Sequence, residues 1–437
     1  LEPISPDTFI LRGETTLQDN PEASVADLKQ ALGMSDGNAR AHWLLARALA
    51  LLNRLDEAQT HVEKAVELAP NDPQYRITHG QILSDLHQID EAIAEVEKAV
   101  ASAENRLHLK ARALCLLGDL YSQKNPPDYR TAVRYHSEAV KLADSLSDDP
   151  HPAIRLAAKE ALIDAHLGAA NDITWGDWEQ KEVAVERWLE KARAFAEDFV
   201  DNEGGSQEYL LRVASRALGS CVGLQGRLDP TPWAELAVEI GPSLVDAASP
   251  ARKAQLRWEL GTALYDAVQT YQLLNQHDQA LQYGELAVAY LDTEESRKRS
   301  ASDLYLVGRL YFRLGAIYAI AREDHEKAVE WFEKGLPVLE KAQQVGLTDQ
   351  QAARLGETLV SMGVSYWQVG KAQQALELTQ NGIALIENAV DQGILEPSTL
   401  GVPYANLATM HRELGQTKEA ESAMEKAAAR SGDTIQR

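Results

Sequence analysis

Two histidines, His79 and His87, stand eight positions apart on what reads as one helical hairpin. A metal site built on them would need a third ligand at matching spacing, and none is evident. The carboxylates Glu91, Glu95 and Glu97 could become an acid–base pair only inside a pocket; on an open helix they are ordinary surface charge. Cys115 and Cys221 have sequence surroundings that give no reason for a lowered thiolate pKa, so both are expected as packed, unreactive thiols. The chain has no Gly-x-x-x-x-Gly-Lys loop, no Gly-x-Gly-x-x-Gly, no Gly-x-Ser-x-Gly elbow and no His-Glu-x-x-His. No catalytic, cofactor-binding or metal residue is assigned, no cofactor is expected, and an enzyme is not expected. The most local positive feature is Arg297-Lys298-Arg299, ahead of a helix that carries Arg309 and Arg313. It reads as a solvated helix start countered by Glu294 and Glu295, or as a site for an acidic tail or phosphate.

The elements that would position such residues are helices. The 437 residues are 45% hydrophobic and 25% charged, which excludes disorder over most of the length. At roughly 150 residues per domain, the length prior is about three domains. Every apolar run is broken by charge within a turn or two, short of the ~18 residues a membrane helix needs, so no membrane insertion is expected. The net charge of −23 argues against nucleic acid as a main partner and favours solubility; it reads as a solvated acidic surface, or else as complementary to a basic partner. Two cysteines exclude a disulfide scaffold or Cys-rich zinc module. The sequence starts at Leu1; with few cysteines and no visible targeting segment, the expected location is the cytoplasm, a processed exported protein being the alternative.

One pattern recurs along the chain: a small residue, a larger one four positions on, and a small one three further. It reads Ala58, Val62, Ala65, then Ala92, Val96, Ala99, then Ala328, Phe332, Gly335, then Ala420, Met424, Ala427, with a looser Ala375, Thr379, Gly382. These spacings put each triplet on one helical face, where small residues let a neighbouring helix approach. A second pattern precedes it: Tyr311, Leu314, Gly315, Tyr318, with copies at Leu114, Leu117, Gly118, Tyr121 and at Leu359, Met362, Gly363, Tyr366. Two amphipathic helices joined by a short polar turn make a helical hairpin. Asp72-Pro73 predicts an N-cap with proline at the first helical position, and Thr348 with Gln351 a capping box. The last small residues Ala31, Ala65 and Ala99 are 34 apart, whereas Ala287, Gly335, Gly382 and Ala427 are 45 to 48 apart. Ala139, Ala192 and Gly241 mark the units between. About ten hairpins follow, with longer helices in the C-terminal half and no sheet.

These residues resemble the tetratricopeptide repeat family. Tyr311 to Phe332 follows its pattern nearly literally, and Ala39 to Asp72 is a 34-residue unit holding Ala69-Pro70. The C-terminal half is similar to the long-repeat branch that includes kinesin light chains. The resemblance implies an all-α solenoid of stacked antiparallel hairpins forming a right-handed superhelix. Three segments are expected: a short-repeat array over 1–146, degenerate middle repeats over 147–250, and a long-repeat array over 251–437. The middle is interrupted at 145–152, at Asn171 to Gln180 with Trp175 and Trp178, at Asp201 to Ser206, and at Asp229-Pro230-Thr231-Pro232.

The resemblance further implies that the first helix of each unit lines a concave groove. Counted onto this chain, the partner-facing candidates are Tyr265, Gln269, Arg309, Phe312, Arg313, Trp367, Asn406, Thr409 and Arg412. Asn406 lies in an Asn-Leu-Ala segment, where an amide can pair with a peptide backbone of any sequence. The Lys and Asn clamp of chaperone-binding members is absent, since its early positions hold Trp43 with Arg47, Ile77 with Thr78, and Arg112 with Leu116. Chaperone C-terminal tails are therefore not expected. The reading is a non-enzymatic scaffold holding a peptide or protein segment in its groove. The alternative is a ligand- or peptide-sensing regulatory module hinged at the middle repeats.

Overall fold

A computed structural model of the chain describes residues 5–430. Among the described residues there are twenty α-helices, two short 3-10 turns and no strand. They alternate as first and second members of hairpins. The early ones are α1 (Pro6–Thr16) and α2 (Pro21–Met34), α3 (Ala39–Leu51) and α4 (Leu55–Leu68), α5 (Pro73–Asp85) and α6 (Ile89–Ser102), and α7 (Leu107–Gln123) and α8 (Tyr129–Asp144). The middle holds α9 (Pro152–Trp175) with α10 (Lys181–Glu203), and α11 (Glu208–Gly223) with α12 (Thr231–Ala247). Then come α13 (Pro250–Leu273), α14 (His277–Leu291), α15 (Ala301–Ala321), α16 (His325–Val345), α17 (Asp349–Gln368), α18 (Ala372–Asp391), α19 (Gly401–Glu413) and α20 (Thr417–Arg430).

The chain divides into two compact units, residues 1–270 and 271–437. In the first, α1 to α12 pair as successive hairpins, and each stacks on the next. In the second, α15 pairs with α16, α17 with α18 and α19 with α20. A hairpin alone has too little apolar surface to fold; stacking supplies it from the neighbours, so stability is a sum of unit and interface terms.

The small-residue markers explain the pairing. Ala31, Ala65, Ala99, Ala139, Ala192, Gly241, Ala287, Gly335, Gly382 and Ala427 are all buried, one on each second helix. In several hairpins the larger residue three positions earlier packs on a glycine of the partner helix. A Cβ on Gly80 would come within 2.2 Å of Val96, and one on Gly315 within 2.2 Å of Phe332. Met424 departs, being 41% exposed on the last described helix, where no described hairpin follows to cover it, and Gly284 stands at that position ahead of Ala287.

Helix lengths follow the repeat period in part, the expectation of longer C-terminal helices failing at α14, α19 and α20, which have 15, 13 and 14 residues. α3 to α6 have 13 or 14 residues and α15 to α18 have 20 or 21. The expected caps form: the Asp72 side chain accepts from the Gln74 N–H, and Thr348 and Gln351 close a capping box. Helix α9 runs on to Trp175, past the break expected from Asn171, because Asp172, Ile173 and Thr174 are all buried. Gly204, at φ +68°, ends α10 in the left-handed region.

Helix α15 departs from the expectation that no helix is apolar enough to cross a membrane. By length and mean hydropathy it passes, since Arg309 and Arg313 are averaged out over its apolar window. Half of that window is buried inside the protein, as in a core helix.

Candidate functional site

The candidate residues from the family pattern fall on first helices, but on both units. Tyr265 and Gln269 lie on α13 in the N-terminal unit, where Tyr265 is buried and Gln269 donates to Asp266 at 3.1 Å. The other seven lie on α15, α17 and α19. Arg309 sits over the rings of Tyr305 and Phe312, at 5.8 and 5.9 Å. Phe312 stacks on Phe332 at 5.8 Å. Arg313 donates to the Gln272 side chain at 2.7 Å, and Trp367 Nε1 donates to Glu413 at 3.2 Å. The Thr409 hydroxyl turns back to the Ala405 carbonyl. Asn406 is half-buried and Arg412 exposed. Arg297 in the basic run is paired with Asp292 at 3.1 Å, with Glu294 adding a weaker attraction. Most of these side chains thus have partners inside the C-terminal unit.

The N-terminal unit holds a cavity of about 570 Å³. Its walls come from α3, α5, α7, α9 and α11, five successive first helices. Arg47, Ile77, Thr78, Arg112 and Leu116 line it. These are among the positions where the chaperone clamp was sought and not found. The sequence therefore pointed at the right helices, and the missing Lys and Asn hid a groove of different chemistry. Gln81, Asp85, Asp119, Asp164, Arg212 and Arg216 add to its polar lining. Sequence reasoning missed these, because Asp164, Arg212 and Arg216 fall in the stretch read as degenerate.

Packing fixes the groove side chains. Trp43 Nε1 donates to the Thr78 hydroxyl at 2.8 Å, and its ring carries the Arg47 guanidinium at 4.9 Å. Burial lowers the Arg47 pKa, and the nearby charge of Arg112 lowers it further. Arg212 donates to Asp164 at 2.7 Å and lies over Tyr209. Cys115, on the groove wall, is buried with its thiol pKa pushed well up by desolvation, and Cys221 is raised to about 12 by the same cause. Both thiols are packed, as expected.

Behind the groove floor sits an ionisable group in a place reserved for apolar ones. The triplet Ala132, His136, Ala139 has the repeat spacing, with histidine where Val62, Val96 and Phe332 stand in other hairpins. Gly118 and Gly168 make room for it; a Cβ on either would come within 2.4 or 2.3 Å of the imidazole. His136 Nε2 is 3.3 Å from Asp172 Oδ2 and 3.7 Å from Asp119 Oδ1. Asp172 also accepts from Ser122. Burial alone would lower the His136 pKa, but Asp172, Asp119 and Asp164 together raise it. Asp119 is raised to about 6 by desolvation and by Asp164 and Asp172, against the pull of His136 and Arg216. Its side chain is 54% exposed, so that desolvation is the work of groove walls rather than of the core.

Among the described residues no group of three His, Cys, Asp or Glu side chains could hold a metal ion. The arrangement offers charge and hydrogen bonds to a ligand, with no nucleophile–base pair.

Residues 16–82, 308–336 and 404–432 match family profiles described as tetratricopeptide repeat. No curated protein sequence matches the chain. Among solved structures it is similar to a MamA RS-1 ArsTM double mutant, at 22% identity over 45% of this chain and 97% of that one, with a TM-score of 0.34. Pseudomonas aeruginosa pilF is similar at 19% identity over 57% of this chain and 96% of its own, with a TM-score of 0.35. A human IFIT1 dimer with m7Gppp-AAAA is similar at 11% identity over 98% of this chain and 73% of its own, with a TM-score of 0.44. With matches at both ends and hairpins throughout, the chain is a tetratricopeptide repeat protein.

Proposed function

We propose that this protein is a non-enzymatic scaffold that holds an extended segment of a partner protein in the groove of its N-terminal unit. The observation that carries the reading is the cavity itself, in which five successive first helices present polar and charged side chains to one volume of about 570 Å³. Such a groove suits a chain of residues better than a compact small molecule. Affinity would come from a few anchors, chiefly Arg47, Arg112 and Arg216, with the remaining walls supplying shape.

The test is selection from a random peptide display library on the full chain, repeated with Gln81→Trp. Gln81 is exposed on the groove wall, so an indole there fills the groove without touching the core. Peptides that bind the wild type and lose binding to Gln81→Trp support the reading. Peptides indifferent to Gln81→Trp, or none at all, overturn it.

The face of the C-terminal unit carrying Arg309, Phe312, Arg313, Trp367, Asn406, Thr409 and Arg412 is a second candidate, favoured by the guanidinium of Arg309 poised over an aromatic ring. Substituting Asn406 and Arg313 together by alanine should weaken any peptide held there. Unchanged binding by the double variant sinks that face.

A further inference from the structure

Arginines of the N-terminal unit are generally answered by carboxylates. Arg76 pairs with Glu95, Arg155 with Glu203 and Arg252 with Glu208. Arg130, Arg134 and Arg187 have no such partner among the described residues, and the groove gathers three more that have none. Of its four arginines only Arg212 has a carboxylate partner, Asp164. Among the described residues Arg47, Arg112 and Arg216 have no carboxylate within 4.0 Å. Arg47 is half-buried and repelled by Arg112, with Glu14 a weaker attraction beyond ion-pair distance. An incompletely hydrated guanidinium without a counter-charge is unfavourable, and a carboxylate answers it with paired, charge-assisted hydrogen bonds. Of the three only Arg47 is so placed, Arg112 and Arg216 being exposed; with Arg212 they set four arginines against Asp85, Asp119 and Asp164 in one cavity, a small positive excess on a chain of net charge −23.

Asp119 stands among them, half open to the groove. It is faced by His136 from α8, Asp164 and Asp172 from α9, and Arg216 from α11. Arg112 lies on its own helix, and Asp85 of α5 lines the same cavity. His136 in turn faces Asp119, Asp164 and Asp172. An anion entering the groove meets three unpaired arginines but is repelled by ionised Asp119.

Resting on the groove reading, we infer that the partner segment is acidic, its carboxylates paired with Arg47, Arg112 and Arg216, and that the Asp119–His136 group takes up a proton as it binds. Asp119 already holds its proton up to about pH 6, and an added anion raises that value further. Binding therefore tightens as pH falls toward 6, while peptide glutamates, with pKa about 4.3, remain ionised.

The experiment is fluorescence anisotropy of labelled octaglutamate, octaglutamine and octalysine with the full chain, at matched ionic strength and pH 5.5, 6.5 and 7.5. Octaglutamate should bind in preference to the other two, severalfold tighter at the lowest pH than at the highest. The double substitution Arg112→Gln, Arg216→Gln should weaken it about tenfold or more. Both residues are exposed, so folding is not at stake. Asp119→Asn should keep the tight binding and flatten the pH dependence. Octaglutamine or octalysine binding as well as octaglutamate, in a manner blocked by Gln81→Trp, would overturn the acidic partner and leave the groove reading standing. Absence of octaglutamate binding, or binding indifferent to the arginine substitutions, overturns the inference. A pH slope that persists in Asp119→Asn removes the proton from it.

Discussion

His136 Nε2 and Asp172 Oδ2 lie 3.3 Å apart, with both side chains sealed from solvent at the centre of three helices. The equivalent places in other hairpins hold Val96 and Phe332, so nothing in the fold demands an ion pair here. Breaking a buried pair strands a charge, whereas replacing both partners by apolar groups restores an ordinary core. Asp172→Asn should therefore cost about 3–5 kcal/mol of stability. The joint variant His136→Val, Asp172→Leu should cost much less. Denaturant midpoints decide it, and equal losses in the two variants would show that the pair is not the source.

The same group sets a pH dependence. The folded-state pKa of His136 is raised, so its contribution is fully present below about pH 6.5 and is lost as pH rises through the folded value. Asp119 is raised to about 6, so the folded chain also binds that proton more tightly, and stability is gained as pH falls through 6. Glu95 works in the opposite sense. Its pKa is lowered to about 2, burial being outweighed by His79, Lys98 and Arg76, and its contribution is lost as pH falls below about 4.5. Maximum stability of this unit is expected in mildly acid solution, and the chain should unfold more readily at pH 8 than at pH 5.5. Asp172→Asn should shrink that difference, and an unchanged difference would move the linkage elsewhere.

The hairpin count was legible because each second helix must present a small residue where its partner crosses, and spacing alone records it. The groove was legible only as a set of positions. Trp43, Arg47, Thr78 and Arg112 were named from the family pattern, but their chemistry is not local. Arg47 is left without a carboxylate by what α5, α7 and α11 do not bring near it, and no spacing states that. His136 was hidden differently. Its triplet spacing is intact, but a search for apolar residues passes over a histidine in a core position. The C-terminal candidates fall on first helices of their hairpins, and Arg313 and Trp367 have internal partners in Gln272 and Glu413.

Helices α17 and α18 cross at two glycines. A Cβ on Gly382 would lie 2.5 Å from the Gly356 carbonyl oxygen, and one on Gly356 would lie 2.7 Å from the Gly382 carbonyl oxygen. Backbone cannot swing aside as a side-chain end can. Gly382→Ala should destabilise the C-terminal unit by about 1–3 kcal/mol despite the better helix propensity of alanine. Gly370, with open space around it, is a control for added volume but not for backbone, since its φ is +79°. Thermal unfolding of Gly382→Ala at or above the wild-type midpoint would show that the two helices part without cost.

The turn inside most hairpins holds a residue in the left-handed region. Asn53, Asn275, Gly370 and Gly415 hold that place with φ of 56°, 57°, 79° and 73°. Between α15 and α16 the place is held by Glu323, at φ 52° and exposed. A residue with a Cβ is strained there by roughly 1–2 kcal/mol. Asparagine tolerates the region, and glycine enters it freely at an entropic cost of about 0.5–1 kcal/mol. Glu323→Asn should therefore stabilise the C-terminal unit by about 0.5 kcal/mol, Glu323→Gly by a similar amount, and Glu323→Val should destabilise it through its branched Cβ. The three signs are read from denaturant midpoints. If glycine lowered the midpoint, the Glu323 side chain would be contributing more to the turn than its strained backbone takes away.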